Sequence, residues 1–179
     1  MSDNGKQDRR IERTQTSLWD AMFALLHEET WGEINVSKIC KRANVARSSF
    51  YLHFQNKQEL LDYGFEMGIL FARENIFEQK VDNNTYATLY WLTNHIYEGR
   101  KFLSHKLQED EYIFTRFQEM ICTLFVEELE IKKVEADVDS ISFVMGGVFS
   151  ILQKWILAGY PDSPESMALK LNKLTSRVI

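Results

Sequence analysis

Hydrophobic residues recur along this chain at helical spacings, and they never alternate with polar residues over a stretch long enough for a β-strand. Near the N-terminus, Ile11, Leu18, Met22, Leu25 and Leu26 share one face of an amphipathic helix. The same pattern predicts helices over residues 8–29, 36–43, 47–54, 57–79, 85–98, 101–107, 109–132, 137–158 and 164–176. The predicted fold class is therefore all-α.

The breaks between these helices carry residues that are suited to ending or starting a helix. Asn35 and Asn56 stand where side chains cap the following helices, and Asn44 can adopt the left-handed conformation that ends one helix and redirects the chain. Pro164 follows Ser163, as is typical of a helix start, and the only other proline is Pro161. Such scarcity of proline favours long helices.

Two short predicted helices joined by a tight turn lie within residues 34–61, which is the layout of a helix-turn-helix. A helix that enters the major groove of DNA presents small polar and basic side chains at its N-terminal end. Here Arg47, Ser48 and Ser49 occupy that end, and Tyr51 can give its hydroxyl to a phosphate. The segment therefore indicates DNA recognition.

Three further residues of the segment fit this interpretation. Phe50 and Phe54 are four residues apart, so they face the core together. Lys57 lies in the first turn of the next helix, where backbone N–H groups also attract phosphate. The alternative is three core helices with an exposed basic face.

The distribution of charge supports DNA binding even though the net charge is −5. Residues 34–58 contain no Asp or Glu, whereas residues 61–179 carry 18 acidic side chains against 12 Lys and Arg. A locally positive segment joined to an acidic remainder is typical of a DNA-binding protein that has a separate domain for binding a partner or a ligand.

The N-terminal region resembles the TetR family of transcription regulators over roughly residues 9–62. The residues that match this family's motif are Val36, Ile39, Ala43, Val45, Phe50, Tyr51, Phe54, Lys57, Leu60 and Leu61. The chain departs from the pattern at Asn44, where the family usually has Gly, and at Cys40, where it usually has Ala. The resemblance implies that residues 1–60 form a DNA-binding domain. The candidate DNA-contacting residues are Lys38, Arg47, Ser48, Ser49, Tyr51, His53 and Lys57.

Residues 143–168 resemble, less specifically, a TetR-type regulatory domain, and this implies a homodimer in which the last two long helices form an intermolecular four-helix bundle. Apolar residues cover nearly all sides of residues 141–156, which is more than one intramolecular face requires. Gly146 and Gly147 would permit close helix approach; the alternative is a locally weakened helix inside a monomer core. The predicted dimer contacts are Phe143, Gly146, Gly147, Ile151 and Trp155.

Large aromatic side chains are frequent in the middle of the chain, and the family resemblance implies an inducer pocket inside the C-terminal bundle. The candidate ligand-binding residues are Phe71, Tyr90, Trp91, His95, Phe114 and Phe117. Their lining suggests a mainly apolar ligand with polar anchors such as Tyr90, His95 or Tyr112. The alternative is that these residues are plain core.

Other classes of function find little support in the sequence. It contains no Gly-rich phosphate loop, G-x-S-x-G, C-x-x-C or H-E-x-x-H, so we predict no enzyme, no cofactor and no metal. Cys40 and Cys122 are more typical of small buried hydrophobes in a reducing compartment. No targeting segment is evident, and the longest nearly apolar run, residues 141–152, is short for a membrane span. A cytoplasmic location is expected.

These observations predict a homodimeric repressor in which residues 1–60 bind a near-palindromic operator and residues 61–179 dimerise and sense a small apolar ligand that releases the DNA. An alternative keeps the DNA module but makes the protein an activator, or a ligand-independent regulator that responds to a partner protein through its C-terminal domain. A third possibility is a small all-helical enzyme or a protein-interaction module without DNA binding.

Overall fold

The computed structural model describes residues 4–77, 85–99 and 110–179. Within these ranges it contains eight α-helices and no β-strand, which confirms the predicted all-α fold. The helices are α1 (Asn4–Glu28), α2 (Val36–Ala43), α3 (Arg47–Tyr51), α4 (Lys57–Phe77), α5 (Ala87–Glu98), α6 (Glu111–Lys132), α7 (Val138–Leu157) and α8 (Pro164–Thr175). The helix predicted over residues 101–107 lies outside the described residues.

The chain forms two compact units, Met1–Met67 and Gly68–Ile179. The division falls within α4, beyond the boundary after residue 60 that the sequence suggested. Leu60 and Leu61, in the first turns of α4, are fully buried, and so this end of the helix contributes to the core of the N-terminal unit.

The core of the N-terminal unit is built from the predicted apolar face of α1 and from side chains of the three helices that follow. Leu18 and Met22 of α1 are fully buried, and so are Ile39 of α2 and Phe50 of α3. Ile11 lies on the same face of α1 but is partly exposed. The helical spacing therefore located the buried face, although not how far along α1 it extends.

Asparagine and serine side chains cap the helices as the sequence predicted. Asn35 Oδ1 accepts a hydrogen bond from Lys38 N at 3.1 Å, and Asn56 Oδ1 accepts one from Glu59 N at 2.9 Å. Ser163 caps α8, with Pro164 in its first turn. Each cap satisfies a backbone N–H that has no partner within its own helix.

Helix α5 is capped by side chains that are distant in sequence. The buried carboxylate of Glu128 in α6 accepts hydrogen bonds from Ala87 N at 2.6 Å and Thr88 N at 2.9 Å. The amide oxygen of Asn172 in α8 accepts one from Tyr86 N. These bonds place a negative group at the positive end of α5 and attach that end to two other helices of the C-terminal unit.

Helix α7 is long and apolar enough to cross a membrane by length and composition alone. Core helices of other proteins pass the same test, and α7 buries Val144, Val148, Phe149, Leu152 and Ile156 within its unit. We therefore interpret α7 as a core helix of the C-terminal unit.

Helices α1 and α4 pack closely against each other at Gly64 in the N-terminal unit. A methyl group at this position would overlap the ring of Trp19, whereas one at Gly32 would meet no atom within 4 Å. We expect Gly64→Ala to lower the free energy of unfolding by about 1–3 kcal/mol, as is typical when a packed core is overfilled. Chemical denaturation would measure it, with Gly32→Ala as the control; equal effects of the two substitutions would contradict the close packing.

Candidate nucleic-acid interface

Helices α2 and α3 are joined by a turn whose geometry depends on Asn44. This residue has φ 53° and ψ 41°, the left-handed conformation that the sequence predicted for it. Val45 N then donates to Cys40 O at 3.0 Å, which closes the end of α2. Asparagine is one of the few residues that adopts this backbone at small cost, so the departure from the family's glycine leaves the turn intact.

Helix α3 presents a small polar and basic surface. Arg47 and Ser48 are exposed, Ser49 is half-buried, and the side chain of Tyr51 is 51% exposed. The Arg47 guanidinium lies 3.5 Å from the Tyr51 hydroxyl. Beneath them Phe50 is fully buried, so the same helix is fixed to the core on its opposite side.

The structure shortens α3 relative to the prediction. The sequence suggested a helix over residues 47–54, but α3 ends at Tyr51. His53 and Phe54 both donate their backbone N–H to Phe50 O in the turn that follows. The predicted extension is therefore wrong, because the chain must turn here to place Phe54 in the core and begin α4. His53, a candidate DNA contact, is half-buried in this turn rather than on the helix.

Two carboxylates at the C-terminal end of α1 and just beyond it compensate part of the positive charge of α2. Lys38 pairs with Glu29 at 2.6 Å, and Arg42 forms two hydrogen bonds with Glu28 at 2.5 and 2.8 Å. The Arg42 hydrogen bond is the main reason that the pKa of Glu28 is below its usual range. Both carboxylates precede residues 34–58, the stretch of sequence that contains no Asp or Glu. Exposed pairs of this kind are weak, so phosphates can compete for Lys38 and Arg42.

Lys57 lies where the sequence placed it, in the first turn of α4, but its ammonium group is engaged within the N-terminal unit. Lys57 Nζ donates to Trp31 O at 2.5 Å and to Ile34 O at 2.8 Å. It also lies 4.1 Å from the centre of the Trp31 ring. These contacts tie the start of α4 to the segment before α2, which is a structural role that the motif alone did not reveal.

We expect Lys57→Ala to lower the free energy of unfolding by about 2 kcal/mol, because two carbonyl groups lose a charged donor. Denaturation of the variant would be compared with that of Lys41→Ala, which removes an exposed lysine of α2. Unchanged stability together with weaker DNA binding would instead support the phosphate contact predicted from the sequence.

The C-terminal unit contains a recess of about 460 Å³ between α4 and α5, and it brings together four of the six candidate ligand residues. Its described lining is Phe71, Asn75, Ile76, Thr85, Ala87, Tyr90, Trp91, Asn94, His95 and Glu98. Three polar residues of this lining, Asn75, Asn94 and Glu98, were not among the candidates predicted from the sequence. Their spacing from Phe71 and Tyr90, four or eight residues along the same helices, was the signal that could have found them.

The other two candidates, Phe114 and Phe117, lie in a separate apolar recess together with Phe149. Its volume is only about 20 Å³, so aromatic side chains fill this part of the unit. The structure therefore does not bring the six candidates into one pocket.

A groove of about 480 Å³ runs between α7 and α8, and four of the five predicted dimer contacts line it: Phe143, Gly146, Gly147 and Ile151. Phe143 is 72% exposed, and no atom lies within 4 Å of where a Cβ would stand on either glycine. Leu174 and Val178 line the opposite wall.

Trp155, the fifth predicted dimer contact, lies elsewhere. Its side chain is only 2% exposed, and its ring packs against Tyr97 and Tyr160. Its indole N–H donates to Asp162 O at 3.0 Å. Trp155 therefore belongs to the core of its own unit, because its side chain has little surface left for another molecule.

An N-terminal helix-turn-helix joined to an all-helical C-terminal unit defines a class of DNA-binding regulators. The sequence model of bacterial regulatory proteins of the tetR family matches residues 18–63, and a model of transcriptional regulator C-terminal regions matches residues 83–177. The chain therefore belongs to the TetR family of transcription regulators, as its sequence indicated, and binds DNA through its helix-turn-helix.

Individual relatives agree with this assignment. The chain is 40% identical over 55 residues to the uncharacterized HTH-type transcriptional regulator YxbF of Bacillus subtilis (strain 168), a stretch that covers 30% of this chain and 14% of YxbF. It is 22% identical over 170 residues to the transposon Tn10 TetC protein of Escherichia coli, covering 95% of this chain and 79% of that protein.

A solved structure shares the fold over nearly the whole chain. The TetR transcriptional regulator from Streptococcus agalactiae 2603V superimposes with a TM-score of 0.71 at 22% identity, covering 97% of this chain and 99% of that one. At this level of identity the similarity supports the fold.

Proposed function

We propose that this protein is a cytoplasmic, homodimeric repressor that binds a near-palindromic operator and is released from it by a small molecule bound in the C-terminal unit. The observation that carries the proposal is the exposed first turn of α3, where Arg47, Ser48 and Tyr51 are accessible while Phe50 fixes the helix to the core. A rigid helix with short polar side chains at its N-terminal end suits the major groove.

Each exposed residue of α3 has a distinct task in this proposal. Arg47 has the reach and geometry to bind the major-groove edge of guanine, which specifies sequence. The Tyr51 hydroxyl donates to a phosphate, and Ser48 and Ser49 contact base edges or the backbone at short range. Lys38 adds a phosphate contact when it leaves Glu29. His53 and Lys57 position the turn and the start of α4.

The operator can be isolated by selection from random DNA, and the selected site is expected to contain two half-sites. In a symmetric dimer the two recognition helices lie about 34–36 Å apart, one turn of B-DNA. Selection of a site without internal symmetry would contradict the dimeric arrangement.

On that operator, Arg47→Ala is expected to reduce the discrimination against one base pair by about 1–3 kcal/mol. Tyr51→Phe removes only the hydroxyl and should weaken binding to all sequences about equally. Fluorescence anisotropy over a salt series would measure both effects. The matched control is Arg177→Ala, since Arg177 is an exposed arginine of the C-terminal unit. A loss of the same size in this control would indicate a general charge effect and contradict the assignment to α3.

Dimerisation is assigned to α7 and α8 because exposed apolar side chains line the groove between them. The glycine pair leaves space in α7 into which a partner helix could pack closely. Large exposed apolar patches are typical of protein interfaces.

We expect Phe143→Asp to convert the dimer to a monomer, because the substitution would place a charge in an apolar interface. Sedimentation velocity at several concentrations would measure the change. Ile131→Asp is the control, since Ile131 is an exposed apolar residue of α6 that lies outside the groove. A dimer that survives Phe143→Asp would contradict this interface.

Release by a ligand is assigned to the recess between α4 and α5, because α4 also supplies side chains to the N-terminal unit. A ligand that binds one conformation of the dimer more tightly than the other changes operator affinity through linkage.

The second candidate function is that of an activator, or of a regulator without a ligand that responds to a partner protein through the C-terminal unit. The filled recess at Phe114 and Phe117 favours it, because that part of the unit has no room for an inducer. Expression of a reporter gene placed behind the selected operator distinguishes repression from activation. Higher expression in the presence of the protein would contradict repression.

A further inference from the structure

The recess between α4 and α5 has a lining that is rich in hydrogen-bond acceptors. Asn75 Nδ2 donates to Phe71 O at 2.7 Å, and Asn94 Nδ2 donates to Tyr90 O at 3.0 Å. Because each amide nitrogen donates to a carbonyl of its own helix, Oδ1 is left to accept a hydrogen bond, while the second N–H of each amide remains a donor. Glu98, one helical turn beyond Asn94, adds a carboxylate to the same lining.

The charged side chains in the described lining of the recess have one sign. No Lys or Arg occurs among its described lining residues, and Glu98 supplies a full negative charge. His95 is exposed at the recess, its ring stacks on Trp91 with centroids 4.6 Å apart, and partial desolvation by the surrounding protein lowers the pKa of His95 below its usual range. A lowered pKa favours the neutral imidazole, which does not oppose a cation.

Aromatic side chains complete the walls. Phe71 is largely exposed, and Tyr90 and Trp91 are partly exposed at the same recess. Aromatic faces attract cations as well as flat apolar groups. The volume of about 460 Å³ falls in the range of small-molecule pockets.

We propose that this recess binds a small protonated amine with an aromatic or apolar body, with Glu98 and the Oδ1 atoms of Asn75 and Asn94 accepting its N–H groups. The aromatic walls cover the body of the ligand. This proposal gives the chemical class of the molecule that the protein senses. The sensing role rests on the proposed function, whereas binding of an amine in the recess does not.

This ligand class differs from the mainly apolar one that the sequence suggested. An apolar molecule would displace water from these acceptors without replacing their hydrogen bonds, and covering an acceptor in this way weakens binding. An amine avoids that loss and also neutralises Glu98.

The test is calorimetric titration of the full-length, DNA-free protein with phenethylamine, 2-phenylethanol and phenylacetate at neutral pH. These probes share one ring and differ in charge. We expect the amine to bind at least about tenfold more tightly than the alcohol, and phenylacetate to bind most weakly, because a hydrogen bond to a charged group contributes about 1.5–3 kcal/mol.

Glu98→Gln should remove most of the preference for the amine, and Asn94→Ala should reduce it less. Glu130→Gln is the matched control, since it removes an exposed carboxylate of α6 outside the recess. Thermal melting of each variant shows whether it is folded. If Glu98→Gln does not fold, the loss of amine preference in Asn94→Ala still tests the inference.

Three results would overturn the inference: equal or tighter binding of the alcohol or phenylacetate, equal behaviour of Glu98→Gln and Glu130→Gln, or no binding of phenethylamine, tryptamine or benzamidine at millimolar concentration. Operator release is measured separately. An amine that binds in the recess without releasing DNA contradicts the sensing role under the proposed function and leaves this inference standing.

Discussion

Asn44 holds a left-handed backbone between α2 and α3, and the orientation of the recognition helix depends on it. This residue ends α2 and redirects the chain, after which Phe50 enters the core and Arg47 and Ser48 remain outside. A β-branched residue could take this conformation only with strain. The exposed polar surface of α3 is thus a consequence of one backbone conformation and one buried aromatic ring.

The basic residues near this surface divide into two groups by their contacts. Lys38 and Arg42 form exposed pairs with carboxylates at the C-terminal end of α1 and just beyond it, and such pairs are weak enough for phosphates to compete. Lys57 instead donates to two backbone carbonyls and stacks over Trp31. Such a group is costly to move, and its contacts hold the start of α4 against the segment that precedes α2.

The C-terminal unit uses buried polar groups to fix the helix that lines its recess. Glu128 and Asn172 hold the N-terminus of α5, and this fixes the face of α5 that carries Tyr90 and Asn94. A preorganised wall of this kind favours binding, because little conformational entropy remains to be lost. The groove along α7 and α8 is a separate surface of the same unit, so the proposed dimer interface and the proposed ligand site share no described lining residue.

The sequence by itself determined the all-α fold, the caps at Asn35, Asn44 and Asn56, the apolar face of α1 and the residues exposed on α3. Each of these features depends on residues within about one or two helical turns of each other. The spacing of residues along the sequence is therefore enough to predict it. Only the tertiary structure decided that Lys57 bonds to carbonyls, that Trp155 is buried, that the six candidate ligand residues fall into two recesses and that Asn75, Asn94 and Glu98 line the larger one. These features join side chains that lie on different helices or in distant turns, and no local pattern specifies which of them meet.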